Sequence, residues 1–241
     1  LAGGAGQCRT RLAEALSDEG RRGHLALGES PRVARHYRGR DCMTWLADMC
    51  LCTAPVAEYP GGRAAREKTN HYGTGRDGGR DIDLRAFARQ GMRLYGALSG
   101  GAGTRVEVAP TLTRALDAAD AVYNSFCRDI DAFVEREGID APVGSTYEPV
   151  WVPDADPVSL DLAAEGITSV VWAIGYRPDY RWVRVGVFDG AGRPTHTRGV
   201  TSVPGLYFLG HTESLRGHLL ETNLDSQRLA RRVADYLRPA A

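Results

Sequence analysis

Leu1-Ala2-Gly3-Gly4-Ala5-Gly6-Gln7-Cys8-Arg9 opens the chain, and its reading decides the fold class. Gln7 to Glu19 carries Leu12, Ala15 and Leu16 at helical spacing, and Gly20 is a stop signal. His24-Leu25-Ala26-Leu27-Gly28 then reads as a short buried strand ending on glycine. Strand stub, glycine turn, helix and strand together form the opening of a βαβ unit.

A turn of this kind can bind a dinucleotide if three demands are met. One glycine makes the tight turn, a second lets the backbone approach a pyrophosphate, and a third small residue lets the helix lie close on the sheet. The helix N terminus adds free N–H groups and partial positive charge. Gly4 and Gly6 meet the first two demands, and Arg9 fails the third. Two glycines between strand and helix are also an ordinary structural device, so the motif alone leaves both readings open. About 20 residues on, Glu29 can accept hydrogen bonds from the ribose hydroxyls of NAD. Ser30, Arg32 and Arg35 follow it and suit the 2′-phosphate of NADP. NAD and NADP therefore both stay open, and a solvated polar loop is the structural alternative.

Working outward, Ser30–Arg40 reads as a basic loop, Asp41–Met49 as a short helix, and 53–82 as a long loop rich in glycine and charge. A helix-like Leu84–Gln90 leads to a strand at Met92–Tyr95. The turn Gly100-Gly101-Ala102-Gly103 precedes a strand at Arg105–Val108. Leu112–Arg136 is the longest helix, with Leu112, Leu116, Ala119, Val122, Phe126, Ile130 and Phe133 along one stripe. A proline-marked linker contains Pro142, Pro149, Pro153 and Pro157. Leu160–Glu165 reads as a short helix and Thr168–Ala173 as a fully apolar strand. Residues 181–204 read as a small β excursion with turns at Asp189-Gly190 and Gly192-Arg193-Pro194. Leu206–Leu209 is expected as a buried strand and Asp225–Leu237 as a closing helix. The alternation of strands and helices predicts an α/β protein with a parallel sheet.

Composition narrows the function classes. The 30 basic and 30 acidic residues balance without a block of like charge, so no nucleic-acid or membrane-surface partner is expected. No apolar run approaches the ~18 residues of a membrane helix. Cys8, Cys42, Cys50, Cys52 and Cys127 have neither zinc nor C-x-x-C spacing, and reduced thiols in a cytoplasmic protein are expected. His211, Glu213, His218 and Glu221 step too far apart for a metal site, and no metal is expected. Ser214, His211 and Asp225 lack a nucleophile elbow. Asp77 and Asp81 lie in a glycine-rich loop where Arg76 and Arg80 are expected to neutralise them.

Four stretches in order carry a family resemblance. They are Gly4 to Asp41, Gly75-Arg76-Asp77-Gly78-Gly79-Arg80-Asp81, Trp172-Ala173-Ile174-Gly175-Tyr176-Arg177-Pro178, and Pro204-Gly205-Leu206-Tyr207-Phe208-Leu209-Gly210. Together they resemble bacterial flavin-containing monooxygenase-like oxidoreductases dependent on FAD and NAD(P)H. The resemblance implies a Rossmann-like NAD(P)-binding domain over 1–180 and a C-terminal remnant of the FAD domain over 181–241. It implies that Gly4, Gly6, Gln7 and Cys8 line the pyrophosphate and that Ser30 and Arg32 face the adenosine ribose. Ala173 and Gly175 would lie where the two domains meet, and Gly210 and the helix start at Asp225 would approach the flavin. Hydride would pass from nicotinamide to flavin, which then activates oxygen to act on a small-molecule substrate. No catalytic side chain is assigned by the resemblance.

Departures accompany it. Arg9 replaces a small residue, Ile174 a threonine, and Cys8 a frequent serine, and no second glycine fingerprint lies upstream. The chain is therefore expected to be partial, with FAD bound only if an N-terminal segment is supplied. The incomplete FAD domain is expected to pack on the nicotinamide domain, to pair with a second copy, or to receive a partner chain. The rival is a non-catalytic nucleotide-binding or interaction module derived from such an enzyme. Another Rossmann-type enzyme, such as a methyltransferase, leaves the later motifs unexplained.

Overall fold

The computed structural model describes residues 2–4, 7–28, 31–51, 73–174, 178–210 and 218–238, with 2–4, 7 and 218–224 described by backbone alone. Two compact units divide the chain: Leu1–Trp45 with Thr69–Tyr176, and Leu46–Lys68 with Arg177–Ala241.

The first unit is built on parallel strands β1 (Ala2–Gly4), β2 (His24–Leu27), β5 (Arg93–Tyr95) and β9 (Val171–Trp172) in the order β5-β2-β1-β9. The register sets Gly3 beside Ala26 on one side and Trp172 on the other. Helix α1 (Gln7–Asp18) links β1 to β2, completing the βαβ opening. All of β2 is buried, as a strand covered on both faces should be. Alternation sends Leu25, Leu27 and Leu94 to one face, where they join Ala13, Ile82, Leu84, Met92, Leu112 and Leu116. Ala26 and Tyr95 face the other way, against Val108 and Leu160.

That second face is covered by an antiparallel sheet of β6 (Leu98–Ala102), β7 (Arg105–Val108) and β8 (Ser159–Asp161), in that order. Here two expectations are corrected. The glycines at 100 and 101 belong to a strand, and the turn is confined to Gly103-Thr104, with Gly103 at φ +59°. Leu160, expected in a helix, pairs with Val106 in β8, and the chain turns only after Asp161. Both segments are too short for their own propensity to outweigh pairing with β-branched Val106 and Val108.

Helices α2 (Cys42–Asp48), α3 (Leu84–Arg89) and α4 (Leu112–Glu137) lie where periodicity placed them. Asp83 caps α3, its Oδ1 accepting from the Arg85 and Ala86 N–H groups at 2.9 and 3.2 Å. Gly138 ends α4 in the left-handed conformation. Within the basic loop, β3 (His36–Tyr37) and β4 (Arg40–Asp41) form a hairpin whose turn places Arg38 and Gly39 at positive φ.

Strand β9 is shorter than the expected Thr168–Ala173 and is not covered. As the edge of the parallel sheet it leaves Val171, Trp172 and Ile174 exposed. Of the long loop 53–82, residues 73–82 are described, and they contain a 3-10 turn at Arg76–Gly78 bracketed by a Thr74–Arg80 bridge.

In the second unit the described β contacts are isolated bridges, Phe188–Pro194, Thr197–Val200 and Val200–Tyr207. The Asp189 turn is present, with Oδ1 accepting from the Ala191 and Arg193 N–H groups at 2.9 Å each. Leu206–Leu209 contributes one bridge at Tyr207 instead of a buried strand, and Leu209 is exposed. Helix α5 runs His218–Leu237, so Asp225 is an interior residue and not the helix start. There it is buried and ion-paired to Arg228 at 2.6 Å.

Candidate functional site

In an open parallel sheet, ligands bind beyond the carboxyl ends of the strands where strand order reverses. That point here lies between β1 and β9, because the chain proceeds outward from β1 to β2 and β5 and later returns to β9 on the opposite side. Gly4 ends β1, Gln7 begins α1, and Ala173 follows β9 at the same end of the sheet. Cys8 is an exposed free thiol on the first turn of α1. Gly28 closes β2 next to them. Gly6, Ser30 and Gly175 lie outside the described residues. Gly210, in the second unit, has φ +81°.

Arg9 is accommodated rather than excluded. Its side chain is fully buried, and Nη1 donates to the Ala26 carbonyl oxygen at 3.1 Å, spanning from α1 to β2. The buried stripe of α1 is accordingly Arg9, Thr10, Ala13 and Glu14, rotated from the expected Leu12, Ala15 and Leu16. Glu14 is held by Arg80 Nε at 2.7 Å, and Asp18 by Arg76 and Arg80 at 3.0 and 2.5 Å. These two arginines thus serve mainly α1, with Arg80 reaching Asp77 at 3.4 Å as well.

Arg32 enters the interior. Its guanidinium lies 3.4 Å from Asp83, 3.4 Å from Asp120 and 3.7 Å from Asp81. The rings of Tyr123 and Tyr147 flank it, 4.5 and 4.1 Å from centroid to Cζ. Tyr147 Oη donates to Asp83 at 2.9 Å, and Tyr123 Oη to Asp81 at 3.1 Å. Arg85 completes the cluster, donating to Asp120 at 2.8 Å, Asp117 at 2.6 Å and the Trp151 carbonyl at 2.9 Å. Burial raises the Asp120 carboxyl above its ordinary range, opposed by Arg85 and Arg32. Burial likewise raises the Tyr123 and Tyr147 hydroxyls.

The remaining loop arginines are also engaged. Arg35 pairs with Asp41 at 2.5 Å, Arg38 with Asp131 at 3.0 Å, and Arg40 lies 4.1 Å over the Trp45 ring. Sequence reasoning missed Asp83 and Asp120 as partners of Arg32, and Arg85 as a second cation on Asp120. The available signal was Asp120, a carboxylate inside the apolar stripe of α4.

Asp225 faces Arg228, and His211, Glu213 and Ser214 lie outside the described residues. Among the described residues no group of three His, Cys, Asp or Glu side chains gathers to hold a metal. No described helix is long and apolar enough to cross a membrane. The described part of the second unit contains no strand running into a helix N terminus of the kind that holds a flavin pyrophosphate.

The fold and its open end define a mixed α/β protein with small parallel and antiparallel sheets, in which α1 follows β1 at the point of strand-order reversal. Short stretches of the chain are similar to bacterial proteins described as uncharacterized oxidoreductases. A CzcO-like protein of Geobacillus kaustophilus is 53% identical over 45 residues, 18% of this chain and 13% of that protein. CzcO proteins of Bacillus subtilis and Bacillus velezensis are 44% and 39% identical over 51 residues, 21% of this chain and 15% of each relative. The matched stretches thus span about one seventh of the relatives' length. No protein-family profile matches the chain, and no solved structure gives a significant match.

Proposed function

We propose that the chain is the nicotinamide-binding part of an oxidoreductase of flavin-containing monooxygenase type. The carrying observation is the parallel β1–α1–β2 unit with β9 returning on the far side of β1. Similarity to proteins described as oxidoreductases supports the same reading. When bound, the cofactors supply hydride transfer from nicotinamide to flavin and the oxygen chemistry that follows. The chain's own contribution is binding and orientation. Backbone N–H groups at the start of α1 neutralise the pyrophosphate, Gly4 keeps the approach free of a side chain, and Ala173 closes the opposite wall. Flavin binding would draw on the second unit together with a further pyrophosphate site.

Calorimetric titration of the purified chain with NADH and NADPH tests this reading. Binding of at least one, lost on Gly4→Leu in a variant of unchanged circular dichroism, is the expected result. A protein that binds neither nucleotide and carries no visible flavin absorption would sink the enzyme reading. It would support instead a non-catalytic module, which the buried Arg9 between helix and sheet favours.

A further inference from the structure

We propose that His24 and Tyr95 form an acid-operated latch that holds the antiparallel β6–β7–β8 layer on the parallel sheet. His24 opens β2, at the opposite end of the sheet from Gly4. Its Nδ1 lies 2.9 Å from Tyr95 Oη, and the two rings stack with centroids 5.9 Å apart and planes 12° apart. Tyr95 in turn packs with Val108 of β7 and Leu160 of β8, beside Ala26. Leu98, Val106, Leu162 and Ile167 close around that cluster. Arg93, two residues before Tyr95, reaches Glu165 in the turn after β8 at 2.9 Å. The layer is thus seated on a tyrosine whose hydroxyl is held by a buried imidazole.

The layer is built to move as a unit. Its three strands are bonded to one another, Leu162 N–H also donates to the Thr104 carbonyl at 2.8 Å, and Gly96 joins it to β5. The other face of β2 and β5 is anchored separately, with Leu25, Leu27 and Leu94 packed on Leu112 and Leu116 of α4. A proton on the ring works against the closed arrangement. His24 is 9% exposed, and the register sets it beside Arg93. Burial lowers its pKa below 6.5; Glu165 opposes that shift, while the amino terminus, Arg93 and Arg22 add to it. In the neutral ring Nδ1 can accept from the Tyr95 hydroxyl. In the charged ring both nitrogens donate, and the hydroxyl hydrogen must find another acceptor. A buried cation beside Arg93 and a displaced Tyr95 hydroxyl both favour an open layer, in which the ring reaches water. The open form takes up its proton near 6.5, so opening grows as pH falls below that value.

Hydrogen exchange of the full chain at about pH 7.5 and about pH 5, corrected for the intrinsic pH dependence of exchange, tests the latch. Amides of 98–108 and 159–167 should lose protection about tenfold at the lower pH, with those of 112–137 unchanged. His24→Gln keeps a polar partner for Tyr95 and cannot gain the charge, so in it the protection should not fall with pH. Unchanged protection in the unmodified chain, an equal loss across 112–137, or a loss retained in His24→Gln would each overturn the proposal. If that variant does not fold, the His24 ring resonances of the unmodified chain decide. Titration below 6.5, accompanied by the loss of protection, is expected; titration at or above 6.5 would overturn the latch.

Discussion

At the residue scale, burial decides what a charge is for. Arg85 meets two carboxylates, Asp117 and Asp120, whose side chains are 65% and 11% exposed. Water and salt screen the first pair, whereas the second sits where an unpartnered charge is costly. Arg85→Met is therefore expected to destabilise by roughly 3–5 kcal/mol, and Asp117→Asn by about 0–1 kcal/mol, both read from urea unfolding. Combining Arg85→Met with Asp120→Leu should recover much of the loss, because it removes the stranded carboxylate as well. A second residue-scale constraint is Gly96, where an added Cβ would run into the Ala109 carbonyl oxygen and the Thr111 side chain. Gly96→Ala should lower stability by about 1–3 kcal/mol through forced repacking of the β5–β6 connection.

At the element scale, helix ends and straps hold the architecture. Gly138 closes α4 at φ +63°, with Ile139 N–H donating to the Val134 carbonyl at 3.0 Å. Gly138→Ala places a Cβ in the left-handed region and should cost about 1–2 kcal/mol, measured as a lower thermal midpoint. The extended segment after α4 has no ladder of its own, so side chains anchor its backbone. Asn124 exchanges two hydrogen bonds with Tyr147, at 3.1 and 2.9 Å. Further along, Thr113 N–H and Oγ1 both donate to Asp156 Oδ1, at 2.9 and 2.7 Å. Asn124→Ala should speed limited proteolysis within 139–150 before global unfolding changes. Unaltered cleavage there would show that the Asn124 clamp does not hold the segment.

At the scale of the whole molecule, the first unit buries, besides its ion pairs, phenol and thiol groups that must stay neutral. Burial first, then Asp131, pushes the Tyr37 hydroxyl from 10.0 up to about 12. Burial first, then neighbouring carboxylates, pushes the Cys42 and Cys127 thiols from 9.0 to about 11 and about 12. An acid whose folded pKa is raised loses protons more readily in the unfolded chain. Its stabilisation is therefore complete below the unfolded value and declines as pH rises through the window above it. The unfolding midpoint should fall steadily from about pH 9 to 12. His24 acts on the other side. Burial lowers its pKa below 6.5, so the unfolded chain takes up a proton the fold resists, and stability declines as pH falls below that value. Its Nδ1 lies 2.9 Å from Tyr95 Oη, so His24→Gln should flatten the acid limb without moving the alkaline one.

The βαβ opening, the long helix with its glycine stop, and the turn at Asp189 were legible in the sequence. Each follows from local rules: a 3.6-residue period, a glycine tolerating positive φ, or an aspartate bonding its own backbone. The strands at Leu98–Ala102 and Ser159–Asp161 were not legible, because glycine-rich and short segments take their state from the strand they pair with. The strand end at Gly4 and the helix after it could be read, but the rotation of α1 that buries Arg9 and Glu14 could not. Sequence by itself determined the α/β class and the place of the first parallel β1–α1–β2 unit. Tertiary structure alone decided the use of the arginines and the exposure of Trp172. Arg32 and Asp120 are 88 residues apart, and no local pattern records which distant carboxylate a charge will meet once water is gone.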